Sequence, residues 1–343
     1  MQVNMMPQIL RNLRSFVPDL PKLEICILGG TGFVGKWLVN SLLHMSEEED
    51  FRLTLHIVTR NVKQSKGIFP VRFQEQINWI EHDLNREPIQ NLPIVDYYVH
   101  GPTPSVVDNS VESQEYLLRV TMNGVLSIKK SLESSEIFPR VVNLSSGAVY
   151  KKEKSIDSPH CEQDQILQNT SDFYAKAKVE SELAFQSMSE KGEISVLNLR
   201  LFALYGQYLP VDQHFAIGNF IRDALTGKKL SIKGNPKTKR SYLHGADLAT
   251  AIIRGLFSDF QGALNIGGKS PISMEDLATT INLSCGGGGV ECLGMKLEPN
   301  FYYPCVSLSE EILGPYELTP FEEGLREWKL WLIESGRGVY KGN

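Results

Sequence analysis

The sequence predicts an α/β fold, a doubly wound parallel sheet followed by a smaller mixed α/β domain. Short apolar runs alternate with segments of helical period as far as residue 205. The first apolar run leads straight into GGTGFVG at 29–35. Beyond residue 205 the alternation breaks.

The elements follow in order. Residues 24–28 form a strand, and 36–45 (KWLVNSLLHM) carry apolar residues at helical spacing. Strands follow at 53–58, 77–80, 94–100, 140–144 and 194–199, with long helices at 113–132 and 171–188. In the second half, 215–226, 247–256, 273–283 and 321–335 read as helices, and 227–234 and 263–266 as short strand and turn pieces. Gly286–Gly289 is four glycines in a row, with no side chain to pack, and reads as a mobile surface loop. Residues 8–17 form a short amphipathic helix packed on the outside of the domain; Arg11 and Arg14 interrupt it before a signal-peptide core can form.

Composition narrows the function. The 343 residues are 42% hydrophobic and 22% charged, ordinary globular usage. The 35 basic residues against 40 acidic ones speak against a nucleic-acid partner. No apolar run approaches the ~18 residues of a membrane span. The five cysteines (Cys26, Cys161, Cys285, Cys292, Cys305) include no C-x-x-C pair, so neither a disulfide framework nor a metal site is expected, and reduced thiols in the cytoplasm are.

Gly29, Gly32 and Gly35 follow a strand and open a helix. Such a loop turns tightly, lets backbone approach a pyrophosphate, and presents helix N–H groups to it. Gly29, Thr31, Gly32, Phe33, Val34 and Gly35 are therefore the expected dinucleotide contacts of a Rossmann domain. The second strand ends in Thr59-Arg60-Asn61 with no acid, so Arg60 is expected on a 2′-phosphate, favouring NADP over NAD. Asp83 and Leu84 end the third strand beside the adenine position. Tyr174 and Lys178, spaced i and i+4, share a helix face, where the ammonium is expected to lower the tyrosine pKa and make it a general acid/base. The strand ending in Ser145-Ser146 brings a hydroxyl to the same place.

With GGTGFVG (29–35), HDL (82–84), LSSGAVY (144–150), YAKAK (174–178), LRLFALYG (199–206) and RSYLHGADLA (240–249), the chain resembles the extended short-chain dehydrogenase/reductases, the NAD-dependent nucleotide-sugar epimerases and dehydratases. The resemblance implies residues 1–22 as an N-terminal extension and 23–205 as the dinucleotide-binding domain. It implies 206–343 as mostly the substrate domain, returning to the core near 240–268. It implies Ser146, Tyr174 and Lys178 as the catalytic set, a nucleoside-diphosphate sugar as substrate, Arg240 as a phosphate clamp, and a homodimer through the two long helices. His214, Asn219 and His244 fall in segments bordering the family's nucleotide pocket, with Asn219 the substrate candidate.

The chain departs from the family in several places. The 4,6-dehydratases carry Asp-Glu after the catalytic Ser or Thr, and the decarboxylases usually keep the Glu; here Gly147 and Ala148 stand there. Glu162 and Asp164 are the nearest substitute carboxylates. Thr121 and Ala203 replace asparagines, and a second diphosphate arginine is missing, with Phe301 in its neighbourhood. The expected activity is hydride transfer at sugar C4, by a 4-epimerase or a 4-ketoreductase. The alternatives are a 4,6-dehydratase with unusual acid/base groups and a non-catalytic NAD(P) sensor.

Overall fold

In a computed structural model, the structure describes residues 5–14, 16, 21–104, 110–133, 135–150, 157–168, 170–213 and 215–336. His214, one of the pocket-bordering residues, lies outside them.

The first half alternates α1 (Met6–Leu13), β1 (Lys22–Leu28), α2 (Phe33–Glu48), β2 (Arg52–Thr59), α3 (Val62–Ser65), β3 (Ile77–Glu81), β4 (Tyr97–His100), α4 (Val111–Leu132), β5 (Arg140–Ser146), α5 (Phe173–Glu190) and β6 (Ser195–Leu201). Then come β7 (Ala203–Tyr205), α6 (Ala216–Leu225), β8 (Leu230–Ile232), β9 (Lys239–His244), α7 (Gly245–Leu256) and β10 (Gly262–Ile266). The chain continues through β11 (Pro271–Ser273), α8 (Met274–Cys285), β12 (Val290–Cys292), β13 (Phe301–Tyr302), α9 (Ser307–Leu313) and α10 (Phe321–Glu334).

Seven parallel strands form one sheet in the order β10-β6-β5-β4-β1-β2-β3. Central β5 is buried at all seven positions, as a strand covered on both faces must be. One face packs against α1, α2 and α7, the other against α4 and α5. The order reverses between β1 and β4, which opens a crevice at their carboxyl ends. Helix starts are fixed locally. Ser110 accepts the Ser113 amide at α4, Asp172 the Tyr174 and Ala175 amides at α5, and Ser273 the Asp276 amide at α8.

The later elements build a second layer. Strands β11, β9, β13 and β7 form one small sheet, β8 and β12 another, and α6, α8 and α10 enclose a separate core around Trp328. Strand β13 pairs with β9, and His160 bridges Pro304, so residues 300–305 are led back toward the end of β5. Helix α1 docks on α7 and the segment behind it. Gln8 and Asn12 donate to the Glu317 carbonyl, while Arg254 spans the carbonyls of Asn12, Leu313, Gly314 and Pro315. No helix among the described residues is long and apolar enough to cross a membrane.

The four glycines differ from expectation. Instead of a mobile loop they form a stitched turn into β12: Gly286 and Gly287 donate to Asn282, Gly288 to Lys228, and the Gly289 carbonyl accepts from Leu230. A Cβ at Gly288 would lie 2.6 Å from the Gly227 carbonyl oxygen, so the run marks close backbone approach rather than slack.

Candidate active site

The glycine loop crosses the crevice at the end of β1. A Cβ at Gly29 (φ +98°) would meet the Gly101 oxygen at 2.6 Å, and one at Gly35 the Gly29 oxygen at 2.3 Å. Only glycine lets the two chain ends and the first turn of α2 close together. Gly32 caps α2 without any side-chain bond, and no acid occupies the first turn, so its amides are left for an anion. Gly29, Thr31 and Gly32 line a cleft of about 670 Å³ with Arg60, Asp83, Leu84 and Thr103. Phe33 and Val34 turn their side chains into the core, leaving backbone as their only contribution to the loop. This volume and donor set fit a dinucleotide.

Around the cleft, Arg60 Nη1 donates to the Tyr116 hydroxyl at 2.8 Å. Asp83 accepts the Asn85 amide at 3.0 Å and faces Arg86 at 3.7 Å, so it shapes the turn as well as lining the cleft. Leu84 is buried, and its carbonyl is held by Asn123 at 2.7 Å.

At the other end of the crevice, Ser146 closes β5 and accepts the Ala148 amide at 3.2 Å. Two tyrosine hydroxyls meet it: Tyr174 from α5 and Tyr302 from β13. Tyr174 is 38% exposed as a residue, but its hydroxyl is turned inward to Ser146. Lys178, one turn on, is buried and donates to Thr103 Oγ1 and the Leu144 carbonyl, both at 2.7 Å. Burial draws its pKa down to about 8 against the pull of Glu182. The expected lowering of the Tyr174 pKa is not what the structure gives. Burial raises it, opposed by the Ser146 hydrogen bond. Lys178 Nζ lies 5.7 Å from the ring centroid, and two of its three donors go to Thr103 and Leu144.

A buried polar array holds this set from behind. Arg200 reaches Glu182 at 2.8 and 3.1 Å and the Tyr150 hydroxyl at 3.0 Å. Ser145 donates to Glu182 at 2.5 Å, and Tyr150 to Asn265 at 2.6 Å. His100 is fixed between Asn143 Oδ1 and the Thr121 carbonyl, and burial lowers its pKa to about 4 against the pull of both hydrogen bonds.

The two dehydratase positions are tightly packed. A Cβ at Gly147 would lie 2.6–2.8 Å from the Phe202 ring, and Ala148 is itself buried. Glu162 accepts the Asn265 amide at 2.9 Å, and Asp164 the Cys161 amide at 3.0 Å. Both carboxylates are therefore engaged with backbone amides.

On the substrate side, Arg240 donates to the carbonyls of Lys239 and Asn300, with its guanidinium 5.3 Å from the Tyr302 ring centroid. That links it to the Ser146 cluster. Asn219, on α6, accepts from Arg222 at 3.0 Å. His244 caps α7, buried between Trp37 and Tyr205, and lines no cleft. No group of three metal-ligating side chains occurs among the described residues. Sequence reasoning missed Tyr302, Thr103 and Glu182. It searched 300–305 for an arginine and stopped at Phe301, although Tyr302 stood next to it.

The chain is similar to several known proteins. UDP-glucuronic acid decarboxylase 3 of Arabidopsis thaliana is 25% identical over 325 residues, 93% of this chain and 91% of that protein. The solved UDP-N-acetylglucosamine 4-epimerase of Methanobrevibacter ruminantium, in complex with UDP-N-acetylmuramic acid, superposes with TM-score 0.78 at 22% identity, over 92% of this chain and 100% of that one. DesIV, a dTDP-glucose 4,6-dehydratase of Streptomyces venezuelae with NAD bound, gives 0.77 at 22% identity, over 93% and 99%. Residues 25–267 match the sequence model of the NAD dependent epimerase/dehydratase family, and the chain belongs to that family.

Proposed function

We propose that the protein is an NAD(P)-dependent enzyme exchanging hydride at C4 of a nucleoside-diphosphate sugar, as a 4-epimerase or 4-ketoreductase. The observation carrying this is the Ser146–Tyr174–Lys178 set beside Gly147 and Ala148, which offer no carboxylate, with the Phe202 ring packed close over Gly147. A bound nicotinamide dinucleotide would supply the hydride acceptor or donor. The loop 29–35 and the α2 amides would hold its pyrophosphate, and Arg60, Asp83 and Leu84 would hold its adenosine end.

Tyr174 moves a proton to or from the sugar O4, and Ser146 orients that oxygen. Lys178, less basic than an exposed lysine, holds the nicotinamide ribose and stabilises charge that develops on Tyr174. Arg240 and Asn219 face the nucleotide part of the substrate. Exposed Leu126 on α4 and Leu183 on α5 support a dimer through those helices.

The test is to denature the purified protein, identify any released dinucleotide by mass spectrometry, and follow nucleoside-diphosphate sugars by NMR. Inversion at C4 with retained NAD identifies the epimerase. Stoichiometric consumption of NADPH identifies the ketoreductase. A 4-keto-6-deoxy product refutes both.

A further inference from the structure

Cys161 and Cys305 come from distant parts of the chain and meet beside the catalytic cluster. His160 and Pro304 form a parallel bridge in which His160 N–H donates to the Tyr303 carbonyl at 2.8 Å and Cys305 N–H to the His160 carbonyl at 2.7 Å. In that register the next residues on each side, Cys161 and Cys305, stand opposite each other on one face. Adjacent strands are ~4.8 Å apart, inside the ~4.4–6.8 Å Cα separation that a disulfide spans without backbone movement. The two thiols hydrogen-bond each other, and Cys305 Sγ lies 3.6 Å from Ser307 Oγ. The Ser307 amide and hydroxyl hold the Cys305 thiol below its ordinary pKa, which favours the reactive thiolate. Both cysteines are partly exposed, whereas Cys26 is fully buried and its thiol pushed far up.

We propose that Cys161 and Cys305 form a reversible dithiol–disulfide couple, oxidised by a peroxide and restored by a dithiol reductant. The Cys305 thiolate attacks one peroxide oxygen and the O–O bond breaks. The departing hydroxide takes up a proton as water, leaving a sulfenic acid on Cys305. The Cys161 sulfur then displaces the sulfenic hydroxyl, which leaves with the Cys161 proton as a second water as the S–S bond forms. The two thiols give up two electrons to the peroxide. The reductant returns them by thiol–disulfide exchange. Since Tyr302 lies three residues before Cys305 and bonds Ser146, the bridge fastens that side of the cluster to the segment preceding α5. None of this depends on which sugar reaction the enzyme performs.

The experiment treats the full chain with one equivalent of hydrogen peroxide, then counts thiols after denaturation and maps peptides without reduction. The expected result is a fall from five thiols to three, a Cys161–Cys305 linked peptide, and recovery of all five with dithiothreitol. Cys161→Ser should trap the Cys305 sulfenic acid as a dimedone adduct, and Cys305→Ser should label at Cys161 at least tenfold more slowly. Five unreacted thiols overturn the proposal, as does a bridge that uses Cys285 or Cys292 or joins two chains. Equal labelling of the two variants overturns the assignment of Cys305 as the attacking thiol.

Discussion

Glu182→Leu tests whether the buried array behind Ser146 holds the site. In the wild type, Glu182 and Arg200 are both almost fully buried and joined by contacts of 2.8 and 3.1 Å, and Glu182 also accepts from Ser145. Burial alone would lower the Arg200 pKa, but the Glu182 carboxylate more than reverses that and keeps it firmly protonated. Removing the carboxylate leaves Arg200 charged in the interior, with only the Tyr150 hydroxyl and the Glu162 carbonyl as partners. Breaking one side of such a pair costs about 3–5 kcal/mol. Unfolding entropy of about 2.1 cal/mol/K per residue over this chain is about 0.7 kcal/mol/K, so Tm should fall by about 4–7 °C. The assay is a thermal-melt cycle with Arg200→Met and the double variant, whose like-sized apolar pair should recover most of the loss. A Tm for Glu182→Leu within about 1 °C of wild type, about 0.7 kcal/mol and no more than a surface pair contributes, would refute the reasoning. So would a double variant that loses the sum of the singles. The Lys178 pKa should also fall further, because Glu182 is what raises it.

Four further outcomes are expected. Tyr174→Phe should cut kcat by about 10²–10⁴ with the fold intact, read by turnover and melting together. Gly147→Asp should lower Tm and confer no dehydratase activity, because its Cβ enters the Phe202 ring; appearance of a 4-keto-6-deoxy product would contradict this. Arg60→Ala should raise KM for NADPH and leave that for NADH nearly unchanged, if the guanidinium meets the 2′-phosphate as proposed. Glu327 is buried with neither carboxylate oxygen bonded, and burial raises its pKa from 4.5 to about 7. The folded state therefore holds a proton that the unfolded state releases between those values, and stability falls as pH rises through that window. Glu327→Gln should match wild type near pH 4 and exceed it by up to about 3 kcal/mol near pH 8, measured by melts at both pH values.

What the sequence made legible was local. The strand–glycine–helix passage at 24–45 and the Tyr174–Lys178 spacing declare themselves because their partners lie within one turn of each other. The central strands read clearly because burial on both faces leaves short runs rich in Val, Leu and Ile. Tyr302, by contrast, reaches Ser146 only because β13 pairs with β9 and Pro304 bridges His160. A two-residue strand has no period to detect. Thr103 binds Lys178 across the sheet's reversal point, and Glu182 matters through Arg200 and Ser145, contacts that no spacing within α5 announces. The Tyr174 pKa was misjudged for the same reason. The i, i+4 rule brings the ammonium close, but the carbonyl and hydroxyl that claim its protons come from elsewhere.

The docking of α1 sets an order on synthesis. Helix α1 finds its partners in Arg254 and the carbonyls of 313–317, 242 or more residues further along the chain. Strand β6 likewise has one edge unpaired until β10 is made. Until those residues are made, a growing chain carries the apolar face of α1, with Ile9 and Leu13, and an open sheet edge in the water. A chain truncated before residue 262 would lack both β10 and the carbonyls of 313–317, a state in which aggregation competes with folding.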